Sequence, residues 1–372
     1  MVSMTMRRAV AAGAAAVLLA ACTGGDGPEK RTLPEPRGEW THVWPATAGF
    51  KPGALKGLDR QLRAANSSCV AVIRDGKVAH ESYFRGADDE TAVPVYSITK
   101  SFTSVLVGMA ADQGDLSLDD KASKYIREWR GTPSQGITVR DLLSNTSGRH
   151  WDVTTDYNQM AFTVQDKTAF SIGLGQDEPP GTVWQYNNAA IQTLQKVFEE
   201  ATGMEPADYA EKRLFDPLGM RHSSWQTDEA GNSMTFSGVK TTCLDLARFG
   251  QLMLQDGEWN GEQIVSSDFV KKATGGASSE LNAAYGLLWW VNDKGPVLGA
   301  VTALGGGDEQ PAATRLAPRA PGDTFWALGA LQQIMAVIPG KDIVAIRLGS
   351  APDDRGSVTP DTFTGDVLDA LR

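Results

Sequence analysis

Apolar positions three and four residues apart mark two helices in the first third of the chain. Leu55, Leu58 and Leu62 recur along 54–65, and Phe102, Val105, Leu106 and Met109 recur along 95–109. Pro94 stands just before the second helix, where its fixed φ suits a first helical turn. Between the two, residues 69–73 and 78–84 are β-rich runs on either side of Asp75-Gly76-Lys77, which predicts a hairpin closed by an Asp-Gly turn. From 111 to 274 the pattern turns helical and loop-rich, with a short helix starting at 137–143 and an amphipathic one over 190–201. β character returns in 285–291, in 325–337 read as one strand, and in 342–348, the last two joined through Pro339-Gly340-Lys341. Pro360-Asp361-Thr362 opens a terminal helix whose Val367, Leu368 and Leu371 form a packing face. Strands at both ends around a helical middle predict an α/β (α+β) fold, an antiparallel sheet flanked by helices with an inserted all-helical domain. The expected division assigns 41–110 and 275–372 to the α/β part and 111–274 to the mainly helical part, with no internal repeat.

The amino terminus carries a different signal. Arg7-Arg8 precede an apolar run over 9–21, shorter than the roughly 20 residues of a membrane span, so 1–21 reads as a signal peptide. Its end, Leu19-Ala20-Ala21-Cys22, resembles the lipobox of bacterial lipoproteins. That resemblance implies cleavage before Cys22, lipidation of its thiol, and a mature protein held at the bacterial cell envelope, facing the periplasm or exterior. An ordinary cleavage with an incidental cysteine is the alternative. Residues 22–40, rich in Gly, Pro and charge, read as a flexible linker without a core of its own.

Composition narrows the chemistry. With 372 residues and 41% hydrophobic content the chain can bury a large core. A formal net charge of -10 argues against nucleic acid as a partner. The four histidines, His42, His80, His150 and His222, lack the spacing of a helical metal site, and no Cys-x-x-Cys occurs, so neither a metal nor a cofactor is expected. Cys69 and Cys243 either pair or stay buried as free thiols.

The helix at 95–109 carries Ser97 and Lys100, an i, i+3 pair whose side chains share one face about 5–6 Å apart at Cβ. A serine hydroxyl needs a base within hydrogen-bond reach, and lysine serves when an apolar site lowers its pKa. A serine in the first helical turn also gains backbone N–H groups aimed at a developing oxyanion. Ser237-Gly238-Val239-Lys240 repeats the spacing, but with glycine in its middle and no helix start, so Ser237 reads as structural.

Ser97-x-x-Lys100 followed by Tyr186-Asn187-Asn188, itself preceded by Pro179-Pro180-Gly181, resembles the class C β-lactamase and penicillin-binding-protein superfamily of serine hydrolases. Asp141-Leu142-Leu143-Ser144-Asn145-Thr146-Ser147-Gly148, Pro217-Leu218-Gly219-Met220, residues 245–252 and Tyr285-Gly286-Leu287-Leu288-Trp289-Trp290 extend the likeness over nearly the whole mature chain. The resemblance implies a β-lactamase/transpeptidase-like fold, with Ser97 as acylated nucleophile, Lys100 as its proton partner and Tyr186 as general base or acid. It makes Asn188 the residue that orients Lys100 and the substrate. The family's third motif, Lys-Thr-Gly or His-x-Gly on a strand edge, is replaced here by Ala327-Leu328-Gly329, which makes the Ala330 N–H the second oxyanion donor beside that of Ser97. Without that cation a free carboxylate loses its partner, so the expected substrate is a small neutral amide or ester rather than a penicillin. The stretch is similar to the 6-aminohexanoate-dimer hydrolase and esterase branch, except that Gln332 stands where that branch has glycine. Trp151 and the loop 152–157 are expected to line the pocket. Alternatives are an envelope-tethered sensor that acylates without turnover, and a D-peptidase or β-lactamase.

Overall fold

The computed structural model describes residues 38–299, 314–350 and 358–372. The expected signal peptide at 1–21, the lipidation site Cys22 and the linker up to 37 lie outside the described residues. Strand β1 (Ser67–Arg74) and strand β2 (Lys77–Tyr83) form the predicted hairpin. Its turn is closed by Asp75 and Gly76, both at positive φ, 52° and 70°. Helix α1 (Ala54–Ala64) precedes the hairpin and buries Leu55, Leu58 and Leu62, the stripe that its period marks.

Among the elements that come after helix α2 (Ile98–Asp112), the short helix α3 (Asn188–Gln192), helix α4 (Cys243–Leu254) and the two-residue strand β3 (Trp290–Val291) bear on the sheet and the site. Strands β4 (Phe325–Gly329), β5 (Gln333–Ile338) and β6 (Ile343–Gly349) and helix α5 (Pro360–Asp369) complete the core. The sheet runs β2-β1-β6-β5-β4-β3 with every pair antiparallel. β1 and β6 pair inside it, Val70 with Arg347 and Val72 with Ala345, so strands from the early and late parts of the chain close one sheet. Both are buried along nearly their whole length, as strands covered on two faces must be. Two helix pairs do the covering. α1 and α5 pack on β1 and β5, with Trp326 Nε1 donating to Thr364 Oγ1 at 2.9 Å, while α2 and α4 pack together on the strands β1, β4, β5 and β6. A Cβ on Gly250 of α4 would lie 2.5 Å from Val344 Cγ1, so only glycine lets this helix sit so close. α4 lies inside the span 111–274 assigned to the mainly helical part, yet it covers the sheet. Cys69 of β1 and Cys243 of α4 form a disulfide with Cα atoms 6.4 Å apart, which decides between the two expectations for this pair.

α2 is buried from Ile98 to Ala110, on every side and not along one stripe. Phe102 stacks on Phe249 with ring centroids 3.9 Å apart and meets Phe215 edge-on at 5.8 Å. The polar face that periodicity leaves to solvent is instead tied to two backbone straps. Ser101 Oγ and Ser104 Oγ donate to the carbonyls of Leu288 and Leu287 at 2.9 and 2.6 Å. Thr103 Oγ1 donates to Thr235 O at 2.7 Å, and Thr99 Oγ1 accepts from Val239 N at 2.9 Å. Each buried hydroxyl therefore has a partner, and each fixes a segment beside the helix.

Two expected elements are divided. The stretch 190–201 breaks at Thr193 into α3 and a helix Leu194–Thr202, and it starts earlier, at Asn188, because the Asn187 side chain caps it by accepting from Ala190 N at 2.8 Å. The stretch 325–337 is not one strand but the hairpin of β4 and β5, with Gln333 facing Gly329 across the turn. No glycine, proline or asparagine marks that turn; Leu331 and Gln332 make it at φ 61° and 65°. Gln332 thus takes a left-handed backbone, a region that favours glycine, and its Oε1 accepts from Val358 N at 2.9 Å.

Candidate active site

Ser97 caps α2 directly after Tyr96, whose φ of 49° is unusual for a residue with a side chain and turns the chain sharply into the helix. The N–H groups of Ile98, Thr99 and Lys100 are taken by Val95, Tyr96 and Ser97 carbonyls. One turn on, the Lys100 ammonium nitrogen donates to Ser97 Oγ at 2.8 Å and to Phe236 O at 2.9 Å. The Phe236 carbonyl belongs to the strap that Thr99 and Thr103 hold, so the second Ser-x-x-Lys motif lies beside the first and contributes its backbone, not its Ser237 hydroxyl. Lys100 is 1% exposed. Burial brings its pKa from 10.5 down to about 7, against the opposing charge of Asp156.

Tyr186 hydrogen-bonds Ser97, and Lys100 Nζ stands 4.9 Å from the centre of its ring. The ring is fixed by Trp290, stacked at 5.9 Å, and by Tyr285, edge-on at 6.1 Å, which places the 285–290 motif behind the site. Burial pushes the Tyr186 phenol far above its ordinary range and keeps it neutral, whereas burial brings Lys100 down to about 7. Ser97, Lys100 and Tyr186 are thus brought together as their motifs predict.

Asn188 is arranged otherwise. Its side-chain amide donates to Asp156 Oδ2 at 2.8 Å, while the hydrogen bonds of Lys100 go to Ser97 Oγ and Phe236 O. Asp156 Oδ1 accepts from Ala189 N at 2.7 Å, and Trp151 Nε1 reaches Oδ2 at 3.3 Å. This carboxyl, 1% exposed, sits on the π-helical stretch Thr154–Thr163 and clamps the Tyr-x-Asn turn in place. Tyr157 adds a hydrogen bond to the Asn188 side chain. The loop was expected to line a pocket; Asp156 as an internal partner of Asn188 was not, because no spacing links residues 32 apart in sequence.

Ala330 follows Gly329 at the end of β4. A Cβ on Gly329 would collide with Val95 O, two residues before Ser97, so this strand end presses against the entry to α2. Ala330 is exposed and Ala327 fully buried. Among the described residues no group of three His, Cys, Asp or Glu side chains stands where it could hold a metal.

The beta-lactamase family profile matches residues 55–363, and so covers the sheet, α2 and every site residue above. The chain belongs to the beta-lactamase family. It is 25% identical over 275 residues to the 6-aminohexanoate-dimer hydrolase of Paenarthrobacter ureafaciens, spanning 66% of this chain and 70% of that protein. Among solved structures, a Bacillus anthracis protein assigned as a 6-aminohexanoate-dimer hydrolase superposes with TM-score 0.69 at 21% identity, covering 89% of this chain and 86% of the other. A class C beta-lactamase superposes with TM-score 0.62 at 19% identity, covering 86% and 94%. These likenesses bear on the fold, which is the β-lactamase/transpeptidase-like arrangement of an antiparallel sheet with helices.

Proposed function

We propose that this chain is a serine hydrolase that cleaves an uncharged amide or ester through an acyl-enzyme on Ser97. The observation that carries the reading is the buried Lys100 amine, 2.8 Å from Ser97 Oγ and titrating at about 7. At pH 7.5 an ordinary lysine leaves roughly one amine in a thousand neutral, whereas one titrating near 7 is mostly neutral and free to take a proton. As Ser97 Oγ attacks the carbonyl carbon, Lys100 receives the hydroxyl proton. The carbonyl electron pair moves to oxygen, which meets the N–H groups of Ser97 and Ala330. Collapse breaks the bond to the amine or alcohol, which takes the Tyr186 proton while the Lys100 ammonium reprotonates Tyr186. Water then attacks the acyl carbon by the same relay and frees Ser97.

Alanine at 327, in the motif position read as a cation's, supports an uncharged substrate over a penicillin carboxylate. The Paenarthrobacter relative is named for hydrolysis of a 6-aminohexanoate dimer, which also supports the amide reading. The segment Leu19-Ala20-Ala21-Cys22 supports a lipid tether at the bacterial cell envelope through Cys22. Turnover of an activated ester is expected to fall by about 1,000-fold or more in Ser97→Ala and Lys100→Ala, and to stay within about threefold in Ser237→Ala. Wild-type turnover in folded Ser97→Ala would refute the reading, and persistent acylation without turnover would favour a sensor instead. A panel of a cephalosporin, short acyl esters, D-amino-acid amides and linear ω-amino-acid oligomers reports the substrate class.

A further inference from the structure

We propose that Arg347 is a positioning residue for this site: its buried guanidinium holds the Ala330-Leu331-Gln332 turn and, through it, the Ala330 N–H that faces the substrate carbonyl. The assignment rests on the hydrolase reading above.

Arg347 lies in the centre of the sheet, opposite Val70 of β1 and Ile334 of β5, with no exposed surface. All five acceptors of its hydrogen bonds are uncharged. Nη1 donates to Leu331 O and Gln332 O, both at 2.9 Å. Nε donates to Ser67 Oγ at 2.9 Å, and Nη2 to Ala65 O at 2.8 Å and Ser350 O at 2.9 Å. A cation in such surroundings is costly, and an apolar side chain would fill a sheet interior with less penalty. Burial accordingly lowers its pKa to about 10.

The two carbonyls that share Nη1 explain why the charge is there. They belong to consecutive residues in the left-handed region, at φ 61° and 65°, and neither leucine nor glutamine is a turn former. The sheet ladder ends at the Gln333–Gly329 pair, so Ala330 is already outside it. A strained turn beyond the ladder would be free to relax. The guanidinium, anchored to β1 by Ser67 and to the preceding loop by Ala65, prevents that. Because Gly329 presses on Val95 O, relaxation of the turn would move the Ala330 N–H relative to Ser97, and oxyanion donors act only when they are already in place.

Arg347→Lys keeps the charge but replaces the planar fork by one ammonium, which cannot serve β1 and the turn together. In this variant kcat for an activated ester is expected to fall roughly 30- to 100-fold with KM within about threefold. Affinity for phenylboronic acid, whose tetrahedral adduct on Ser97 puts an oxygen between the two N–H groups, should fall by the same factor. The pH limb set by Lys100 should not move. Ser67→Ala, which removes one anchor and leaves the guanidinium in place, should show the same split at roughly three- to tenfold, and it carries the test if the lysine variant does not fold. Wild-type kcat and boronate affinity in these variants, or a rise in KM alone, would overturn the assignment. A wild-type chain that neither turns over esters nor binds the boronate would overturn the hydrolase reading, and this assignment with it.

Discussion

Replacing Lys100 with methionine removes the proposed base and relieves the burial of an amine, so activity and stability should move in opposite directions. The unfolded chain keeps the lysine proton up to about 10.5, the folded chain only to about 7. Stability owed to this position is therefore full above 10.5 and is lost as pH falls toward 7. At 1.36 kcal/mol per pH unit the full penalty is about 5 kcal/mol below pH 7 and about 4 kcal/mol at pH 7.5. Methionine fills a similar volume but forfeits the hydrogen bonds to Ser97 Oγ and Phe236 O, each worth about 1 kcal/mol, and leaves that carbonyl unpaired. The variant should then be more stable than wild type by about 2 kcal/mol at pH 6.5, with the advantage gone by about pH 9. Urea denaturation of both proteins at pH 6.5, 8 and 9.5 reads this directly, beside ester turnover, which the variant should lack. Parallel stability across that range, or a variant less stable at pH 6.5, would show that Lys100 is not held neutral by its burial.

Two further perturbations act at a distance from Ser97. Asp156→Asn removes the negative charge that opposes the lowering of the Lys100 pKa, so the acid limb of the pH–rate profile should move to lower pH. Its plateau should fall on the order of tenfold, because a charged acceptor of the Asn188 amide is lost; an unmoved limb would contradict the electrostatic role. Joint replacement of Cys69 and Cys243 by alanine opens a loop with ends 174 residues apart, which should cost about 2–5 kcal/mol and lower Tm by roughly 5 °C or more in a thermal melt.

Elements with a local cause could be read from the sequence. The stripe of Leu55, Leu58 and Leu62 and the Asp75-Gly76 turn each depend on neighbours a few residues away, and both form as read. Ser97 and Lys100 were legible for the same reason, since one helical turn brings them together wherever the helix goes. Tyr186 was legible only through a family motif, because nothing local points it at Ser97. The hairpin at 330–332 left no trace, since Ala-Leu-Gln contains no turn former and the bend is held by Arg347 from a later strand. Asp156 was hidden likewise, as its partner Asn188 arrives through tertiary packing. The hydroxyls of α2 mimic a solvent-facing stripe, and only the straps at 234–239 and 285–288 reveal them as internal ties.

The central claim is that Ser97 is a nucleophile activated by a neutral Lys100. It is tested most directly by the pH dependence of labelling with a fluorophosphonate, followed by intact mass and peptide mapping. A single adduct on Ser97, with a rate that rises through about pH 7 and levels off above it, is the predicted result. No adduct on the folded chain, an adduct elsewhere, or a rate on Ser97 still climbing toward pH 10 would contradict it.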